Sequence, residues 1–158
     1  MFSPNKNPNI YFICAGKSDG ESKLTSFDGA LLQAGVGNTN LIRLSSILPP
    51  NCQQIDSFTV PQGSLLPIAY ATLTSDAHGA TISSAVAIAI PKDRSIAGVI
   101  MEHSGADSRD VIETKVRAMA TEAMRMRNIK DFDVKSLGIE AVVNKITSTF
   151  AAVALWWN

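Results

Sequence analysis

The sequence is poor in the residues on which most metal, redox and nucleotide sites depend. It contains 2 cysteines and 2 histidines, and its aromatic fraction is 6%. Cys14 and Cys52 have neither the spacing of a disulfide framework nor that of a metal-binding motif, so both are predicted to be reduced, structural thiols. His78 and His103 form no metal-ligand pattern, and a surface role is expected for each. There is no glycine-rich nucleotide loop and no Cys-His pair, so neither a metal nor a nucleotide site is predicted.

The sequence also lacks an excess of either charge. Its 14 Lys and Arg residues balance 14 Asp and Glu residues, and the isoelectric point is about 6.7. This balance provides no electrostatic basis for binding nucleic acid or an anionic membrane surface, and it leaves self-association unopposed. No apolar run reaches the length of a membrane span, and the first residues lack the apolar core of a signal peptide. We therefore expect a cytoplasmic protein with no nucleic-acid or membrane partner.

The composition instead indicates one globular domain. Of the 158 residues, 46% are hydrophobic and 18% are charged, which suffices for a substantial core. We expect a single domain over residues 1–158, in which a polar arm at residues 1–9 precedes the first strand.

Apolar patterning predicts a chain rich in strands with two helices. Helical spacing predicts a helix at 108–127, and Ser26 is expected to cap a shorter helix that ends before Gly35. The middle strands are expected to form a meander and the last two to pair, which together predict an α+β layered sandwich. The predicted strands are 10–15, 41–44, 55–60, 65–74, 81–90, 97–103, 137–144 and 150–157, with a loop at 16–22.

One stretch, residues 35–50, has features that an ordinary strand does not need. Two glycines open it and two prolines end it, so the strand at 41–44 lies between a turn and a stop. Ser45 and Ser46 come just before that stop. If the fold holds this pair in strain, the Ser46 hydroxyl can attack the preceding carbonyl, and an N-to-O acyl shift, β-elimination and hydrolysis would leave a pyruvoyl group at residue 46. On the residues alone an ordinary strand end is favoured, because serine is common in turns.

Longer motifs surround the serine pair. They are FDGALL at 27–32, AGVGNTNL at 34–41, SSILPP at 45–50, PQG at 61–63, IS at 82–83, AIPKD at 89–93, GVIME at 98–102 and FAAVALW at 150–156. Together they closely resemble the pyruvoyl-dependent arginine decarboxylases over nearly the whole chain. The departures are a short N-terminus and Ala80, where an acidic residue is expected in that family and which puts the local loop structure in question.

The resemblance implies a fold, a cofactor and a reaction. The fold is a four-layer αββα sandwich with mostly antiparallel sheets, assembled as a homotrimer or a dimer of trimers with active sites between subunits. Cleavage would give a β chain of residues 1–45 and an α chain of residues 46–158, with a covalent pyruvoyl group formed from Ser46. That group would take up the electrons released as L-arginine loses carbon dioxide and becomes agmatine. The pathway served, polyamine biosynthesis or acid resistance, stays open.

Glu102 is implied to be the proton donor of this reaction. Strand alternation places it on the same face as Ile100, so its carboxyl is expected to be partly buried and its pKa raised. On the pattern alone, a solvated glutamate at a strand end is an equal alternative.

Other site residues come from the resemblance, each with an alternative. Asp28, with Gly37 and Thr39 as weaker candidates, is implied to bind the substrate guanidinium, although Asp28 would also be stabilised by the helix dipole two residues after the expected cap. Asn40 is implied to assist self-cleavage. Six residues of straight strand span roughly 20 Å, so Asn40 reaches Ser46 only if the chain bends or if another subunit supplies it.

Two other functions remain open at this stage. The substrate could be another amino acid, since a few pocket changes would alter specificity. The chain could also be an unprocessed, non-catalytic assembly or ligand-binding subunit, although Ser45, Ser46, Asn40 and Glu102 are all in place and weigh against this.

We predict that the purified protein separates under denaturing conditions into a small chain ending at Ser45 and a larger chain that begins with a blocked residue 46. Ser46→Ala removes the attacking hydroxyl with little change in volume, so the variant should fold and remain one chain. Denaturing mass spectrometry measures both. Two chains from the variant would place the nucleophile elsewhere. A single full-length mass with a free N-terminus from the unmodified protein would exclude enzymatic function for that sample.

Overall fold

The computed structural model of the chain describes residues 6–158, so most of the predicted N-terminal arm lies outside the described residues. The described part contains two helices and nine strands. The helices are α1 (Lys23–Gln33) and α2 (Arg109–Met126), and the strands are β1 (Ile10–Gly20), β2 (Asn40–Arg43), β3 (Ile47–Leu48), β4 (Gln53–Gln54), β5 (Leu65–Ser75), β6 (Thr81–Pro91), β7 (Gly98–Gly105), β8 (Phe132–Val142) and β9 (Ile146–Trp156).

The strands form two sheets that pack face to face. The five-stranded sheet has the order β2-β5-β9-β1-β4, and the four-stranded sheet has the order β3-β7-β6-β8. Pairing is antiparallel except between β1 and β4 and between β2 and β5. Helix α1 covers the outer face of the first sheet and α2 that of the second. The predicted α+β sandwich with layers αββα is confirmed. In the described residues, neither helix is long and apolar enough to cross a bilayer.

Strand alternation divides the core into layers. In β9, Phe150 and Ala152 face α1, whereas Ala151 and Val153 face the other sheet. Strand β6 does the same, with alanines toward α2 and larger residues such as Ile88 between the sheets. Both faces of these central strands are covered, which explains why the sequence shows continuous apolar runs here rather than alternation.

The predicted strand pairing is wrong in two places. Strands β5 and β6 follow each other in the chain but belong to different sheets, so there is no meander, and β9 pairs with β1 and β5 rather than with β8. Each of these connections carries the chain from one sheet to the other. Sequence periodicity reports that a strand has buried faces and does not report which neighbour it pairs with.

The loop predicted at 16–22 and the cap predicted at Ser26 are also wrong. Strand β1 runs on to Gly20 because its whole length pairs with β9. The helix therefore begins earlier: Ser22 is the N-cap, and its side chain and that of Thr25 exchange hydrogen bonds with each other's backbone N–H groups. Ser26 is instead buried, and its hydroxyl lies 2.8 Å from that of Ser148. At the other end, Gly35 has a φ of 82°, as expected after a helix C-terminus.

The strand predicted at 55–60 does not form. Only β4 pairs with β1, over two residues, and the apolar side chains that follow pack individually on the outer core. Phe58, for example, meets Phe12 edge-on with ring centroids 4.8 Å apart. The apolar pattern here reflects burial against an existing sheet rather than membership of one.

The structure also bears on the predictions for the two cysteines and for Ala80. Cys14 and Cys52 are both free and buried, which confirms the reading as unpaired thiols, and burial raises the pKa of Cys14 to about 12. The segment at Ala80 is hydrogen-bonded and packed: Ala80 lies near Ile82 and Val143, and its carbonyl accepts a hydrogen bond from the Val143 N–H at 2.8 Å.

Candidate active site

The Ser45–Ser46 bond lies where the chain crosses from one sheet to the other. Strand β2 belongs to the five-stranded sheet and β3 to the four-stranded sheet, with three residues between them. On one side of the bond, the Leu44 N–H donates to the Ile68 carbonyl at 3.0 Å. On the other side, the Ile100 N–H donates to the Ser46 carbonyl at 2.8 Å. The bond is therefore held from both ends by two different sheets.

Ser46 has an unfavourable backbone conformation. Its φ is 95°, in a region that residues with a side chain rarely adopt. Such conformations cost about 1–3 kcal/mol and persist only where the surroundings impose them. Here the hydrogen bonds on both sides of Ser46 do so. The sequence hypothesis required a strained serine pair, and the strain falls on Ser46, whose hydroxyl is predicted to attack.

Glu102 lies beside this serine. It follows Ile100 on the inward face of β7, and the Ser46 hydroxyl donates to Glu102 Oε2 at 3.4 Å. The Glu102 side chain is 16% exposed. Burial raises the pKa of its carboxyl, while the Arg43 charge and the Ser46 hydrogen bond partly oppose that rise. The expectation of a partly buried carboxyl with a raised pKa is confirmed, and its role as proton donor stays a prediction.

The site also contains Arg43, which the sequence analysis missed. Its Nη2 donates to the Tyr70 carbonyl at 2.8 Å, and its guanidinium carbon lies 4.4 Å from the centre of the Tyr70 ring. The same Nη2 lies 3.8 Å from Glu102 Oε1. A signal was available, since Arg43 lies only two residues before Ser45. The pattern could not name its partners, which are far away in sequence.

An opening at this edge of the sandwich, along the later parts of β5 and β7, makes the site accessible, and we call it the notch. Strands β2 and β3 are short edge strands, so they leave the later parts of β5 and β7 without a ladder partner on that side. Arg43 and Ser104 take up two of the open β5 carbonyls, those of Tyr70 and Thr72. Glu102 lies on β7 within this notch and is therefore accessible from outside the sheets.

Asn40 is not brought to Ser46 of the same chain. It lies at the opposite end of β2, where its side-chain amide donates to the Gly63 carbonyl at 2.8 Å. Strand β2 is paired with β5 along its length and does not bend back. A part for Asn40 in self-cleavage stays a prediction, and of the two routes given above only the one through another subunit is left.

Asp28 lies in the middle of α1, and its side chain is exposed. Because the helix begins at Lys23 rather than after Ser26, Asp28 is beyond the first turn and the helix-dipole explanation for it is wrong. Gly37 and Thr39 follow the helix in a tight loop, where the Thr39 hydroxyl donates to the Val36 carbonyl at 2.7 Å. These two residues line an open pocket of about 300 Å³.

Apart from Asn40, the predicted site residues thus form two groups in one chain. Ser46 and Glu102 meet in the notch between the two sheets. Asp28, Gly37 and Thr39 belong to α1 and its following loop, on the outer side of the five-stranded sheet. Among residues 6–158 the structure shows no hydrogen bond or ion pair that joins the two groups.

The raised pKa of Glu102 predicts a pH-dependent stability. Its folded-state pKa lies above that of the unfolded chain, so its contribution to stability is full below the unfolded pKa and is lost as the pH rises through the folded pKa. In an uncleaved Ser46→Ala parent, we expect Glu102→Gln to leave stability unchanged at acid pH and to raise it at neutral pH. Urea unfolding at one fixed protein concentration measures this.

The control for that experiment is Glu122→Gln, which removes a carboxylate from an exposed position on α2. If the two substitutions changed stability equally at neutral pH, burial of Glu102 between the sheets would not be the cause of the pH dependence.

Known proteins resemble this chain over nearly its whole length. The family model for pyruvoyl-dependent arginine decarboxylase matches residues 10–157. The pyruvoyl-dependent arginine decarboxylase of Methanocaldococcus jannaschii is 46% identical over 153 residues, covering 97% of this chain and 93% of the relative. That of Methanococcus aeolicus is 45% identical over 158 residues, covering 100% and 96%, and that of Thermococcus kodakarensis is 38% identical over 152 residues, covering 94% and 96%. The chain therefore belongs to the pyruvoyl-dependent arginine decarboxylase family.

Proposed function

We propose that this chain cleaves itself between Ser45 and Ser46 and that the product decarboxylates L-arginine to agmatine and carbon dioxide. The observation that carries the proposal is the left-handed Ser46, held by both sheets, with its hydroxyl on Glu102. Membership of the family supports the substrate and the cofactor.

The self-cleavage step uses groups that the crossover holds in place. The Ser46 oxygen attacks the Ser45 carbonyl carbon, the peptide C–N bond breaks, and an ester links the two residues. Elimination then releases the carboxylate of Ser45 as a new chain end, and hydrolysis with loss of ammonia leaves a pyruvoyl group at residue 46. Relief of the strained Ser46 backbone favours the first step. The residues around Ser46 therefore fit the formation of this group.

The pyruvoyl group supplies the electron-accepting carbonyl system for loss of carbon dioxide. The chain's own residues do the rest. The Ile100 N–H holds the carbonyl of residue 46, which fixes its orientation. Glu102 keeps its proton to higher pH because burial raises its pKa, and it lies within reach of residue 46 to protonate the α-carbon once carbon dioxide has left.

The two groups of site residues favour an active site built between subunits. Asp28 is exposed, takes part in none of the ion pairs of residues 6–158, and is free to receive a guanidinium with Gly37 and Thr39. Since these residues lie away from Ser46 of their own chain, a second copy would complete the site, as a homotrimer or a dimer of trimers. Exposed apolar side chains lie next to the notch, where a second copy would cover them; they are Ile42 and Ile47.

The same arrangement would supply Asn40 from a neighbouring subunit. Its side-chain amide would donate to the Ser45 carbonyl as negative charge develops there during self-cleavage, which is how oxyanion donors act. Within its own chain the amide is held by Gly63 and is exposed, so it is available to a neighbour.

The alternatives are less well supported. The relatives compared above are named for arginine, which disfavours another amino acid as the substrate. A strained Ser46 beside a partly buried carboxyl is costly, and a non-catalytic subunit would not need it. A cytoplasmic location stays a prediction from the sequence.

Glu102→Gln should separate maturation from catalysis. The glutamine keeps an oxygen that accepts the Ser46 hydroxyl, so the variant should still cleave and form the pyruvoyl group. Having lost the proton donor, it should turn arginine over about 10²–10⁴-fold more slowly. The test quantifies the pyruvoyl-bearing chain by mass and carbon dioxide release on the same sample. Turnover like that of the unmodified protein would remove Glu102 from catalysis, and failure to cleave would assign it to maturation.

Asp28→Asn should process normally but bind arginine weakly. The substitution removes one charged partner of the guanidinium without a change of shape, which should raise the KM for arginine by about tenfold or more. Asp56→Asn, at another exposed position, is the matched control. If both variants bind arginine as the unmodified enzyme does, the guanidinium lies elsewhere.

A further inference from the structure

The Arg43 side chain is held by two contacts with Tyr70 and has no role in the reaction as proposed above. Strand β2 ends at Arg43, so the Tyr70 carbonyl on β5 has no backbone partner on that side, and the Arg43 guanidinium takes that place at 2.8 Å. The guanidinium also stacks on the Tyr70 ring at 4.4 Å. Two contacts to one residue fix the guanidinium plane, which a long and otherwise mobile side chain needs if it is to position another group.

Glu102 divides its two carboxyl oxygens between different partners. Oε1 faces Arg43 at 3.8 Å, and Oε2 accepts from the Ser46 hydroxyl at 3.4 Å. A direct charge-assisted hydrogen bond would be about 2.7–2.9 Å long and would hold the carboxyl ionised. At this longer separation, the half-exposed Arg43 guanidinium still attracts and orients Oε1, but it leaves the carboxyl able to hold a proton.

We propose that Arg43, anchored on Tyr70, is a positioning residue that holds Oε1 of Glu102 and so directs Oε2 at residue 46. The inference rests on the proposed function, in which Glu102 is the proton donor. Arg43 belongs to the chain of residues 1–45 and Glu102 to that of residues 46–158, so this contact would join the two products of cleavage across the site. The short chain would then contribute to catalysis as well as to the fold.

The groups that face Glu102 are few, which makes the role of Arg43 measurable. Arg43 and Ser46, at either end of the connection between β2 and β3, face Glu102. Its neighbour on β6 is Val86, and Tyr70 on β5 holds Arg43 in place. His103, the next residue on β7, points to the other face of the sheet, where its Nε2 lies 3.3 Å from Nζ of Lys115 on α2. Among the ion pairs of residues 6–158, Arg43 is the only cation paired with Glu102.

The first experiment does not depend on activity. In the uncleaved Ser46→Ala parent, carbon-13 NMR of labelled glutamate carboxyls follows the titration of Glu102, with its signal assigned by Glu102→Gln. We expect Arg43→Met to raise the Glu102 pKa, because a nearby positive charge is removed, and Arg43→Lys to raise it less. Arg117→Met, which removes a guanidinium from α2, should leave it unchanged. An unchanged Glu102 titration in Arg43→Met would overturn the inference.

The second experiment uses the processed enzyme and the pH dependence of turnover. With Arg43→Met, kcat should fall by up to about 10²-fold, the cost of a misdirected group, with little change in KM. In the pH profile, the limb on which turnover falls at high pH should move to higher pH. Arg43→Lys should partly restore both kcat and the position of that limb. A lower rate with an unmoved limb would mean only a structural role, and a change confined to KM would mean that Arg43 binds substrate. Either result would overturn the inference.

The two experiments also separate this inference from the proposed function. If the unmodified, processed protein releases no carbon dioxide from arginine, the proposed function fails, whereas the NMR titration still decides whether Arg43 acts on Glu102. If Arg43→Met does not process, Arg43→Lys provides the kinetic comparison and the uncleaved parent provides the titration.

Discussion

The site depends on one constraint, which is that three residues must carry the chain from the five-stranded to the four-stranded sheet. Hydrogen bonds from Leu44 to one sheet and from Ile100 to the Ser46 carbonyl leave no slack in this crossing. The left-handed φ of Ser46 is the result. Because both sheets are packed on their outer faces by a helix, neither can move to relieve the strain, and the stability of the whole sandwich sustains it.

The environment of Glu102 follows from its place along β7. The inward face of that strand passes from Ile100 in the apolar core to Glu102 and then to Ser104, whose hydroxyl binds the Thr72 carbonyl. Beyond this point, side-chain hydroxyls lie between the sheets; for example, the Ser84 and Thr149 hydroxyl oxygens are 2.8 Å apart. Glu102 is thus at the boundary between an apolar and a polar layer. This explains a carboxyl that is desolvated enough for a raised pKa yet still has polar partners.

The same few side chains would serve two reactions in succession. In the proposed reaction, the Ser46 hydroxyl would be the nucleophile of maturation and would be consumed in it, while Glu102, which accepts a hydrogen bond from that hydroxyl before cleavage, would donate its proton to substrate afterwards. The short edge strands β2 and β3 make both possible, since they leave β5 and β7 open at the notch. A longer β2 or β3 would satisfy those edges with backbone and would close access to Glu102.

Local sequence was enough to predict much of this. The helix at Arg109–Met126, the left-handed Gly35 and the strand ending just before Ser45 follow from spacing and turn chemistry, because these depend on neighbours in the chain. The resemblance of motifs around Ser45 and Ser46 predicted the family. Alternation with Ile100 placed Glu102 on a partly buried face. All of these are properties of segments a few residues long.

Other features were decided only by tertiary packing. Full-length pairing with β9 turned the polar Gly- and Ser-containing loop after Ala15 into strand, and moved the helix cap from Ser26 to Ser22. Which strands pair, the contact of Arg43 with Tyr70 and Glu102, and the separation of Asn40 and Asp28 from Ser46 join residues far apart in sequence. The sequence by itself determined both helices, most of the strands and the presence of the Ser45–Ser46 pair. Tertiary structure decided the strain at Ser46 and the side chains around it, because both arise where two sheets meet.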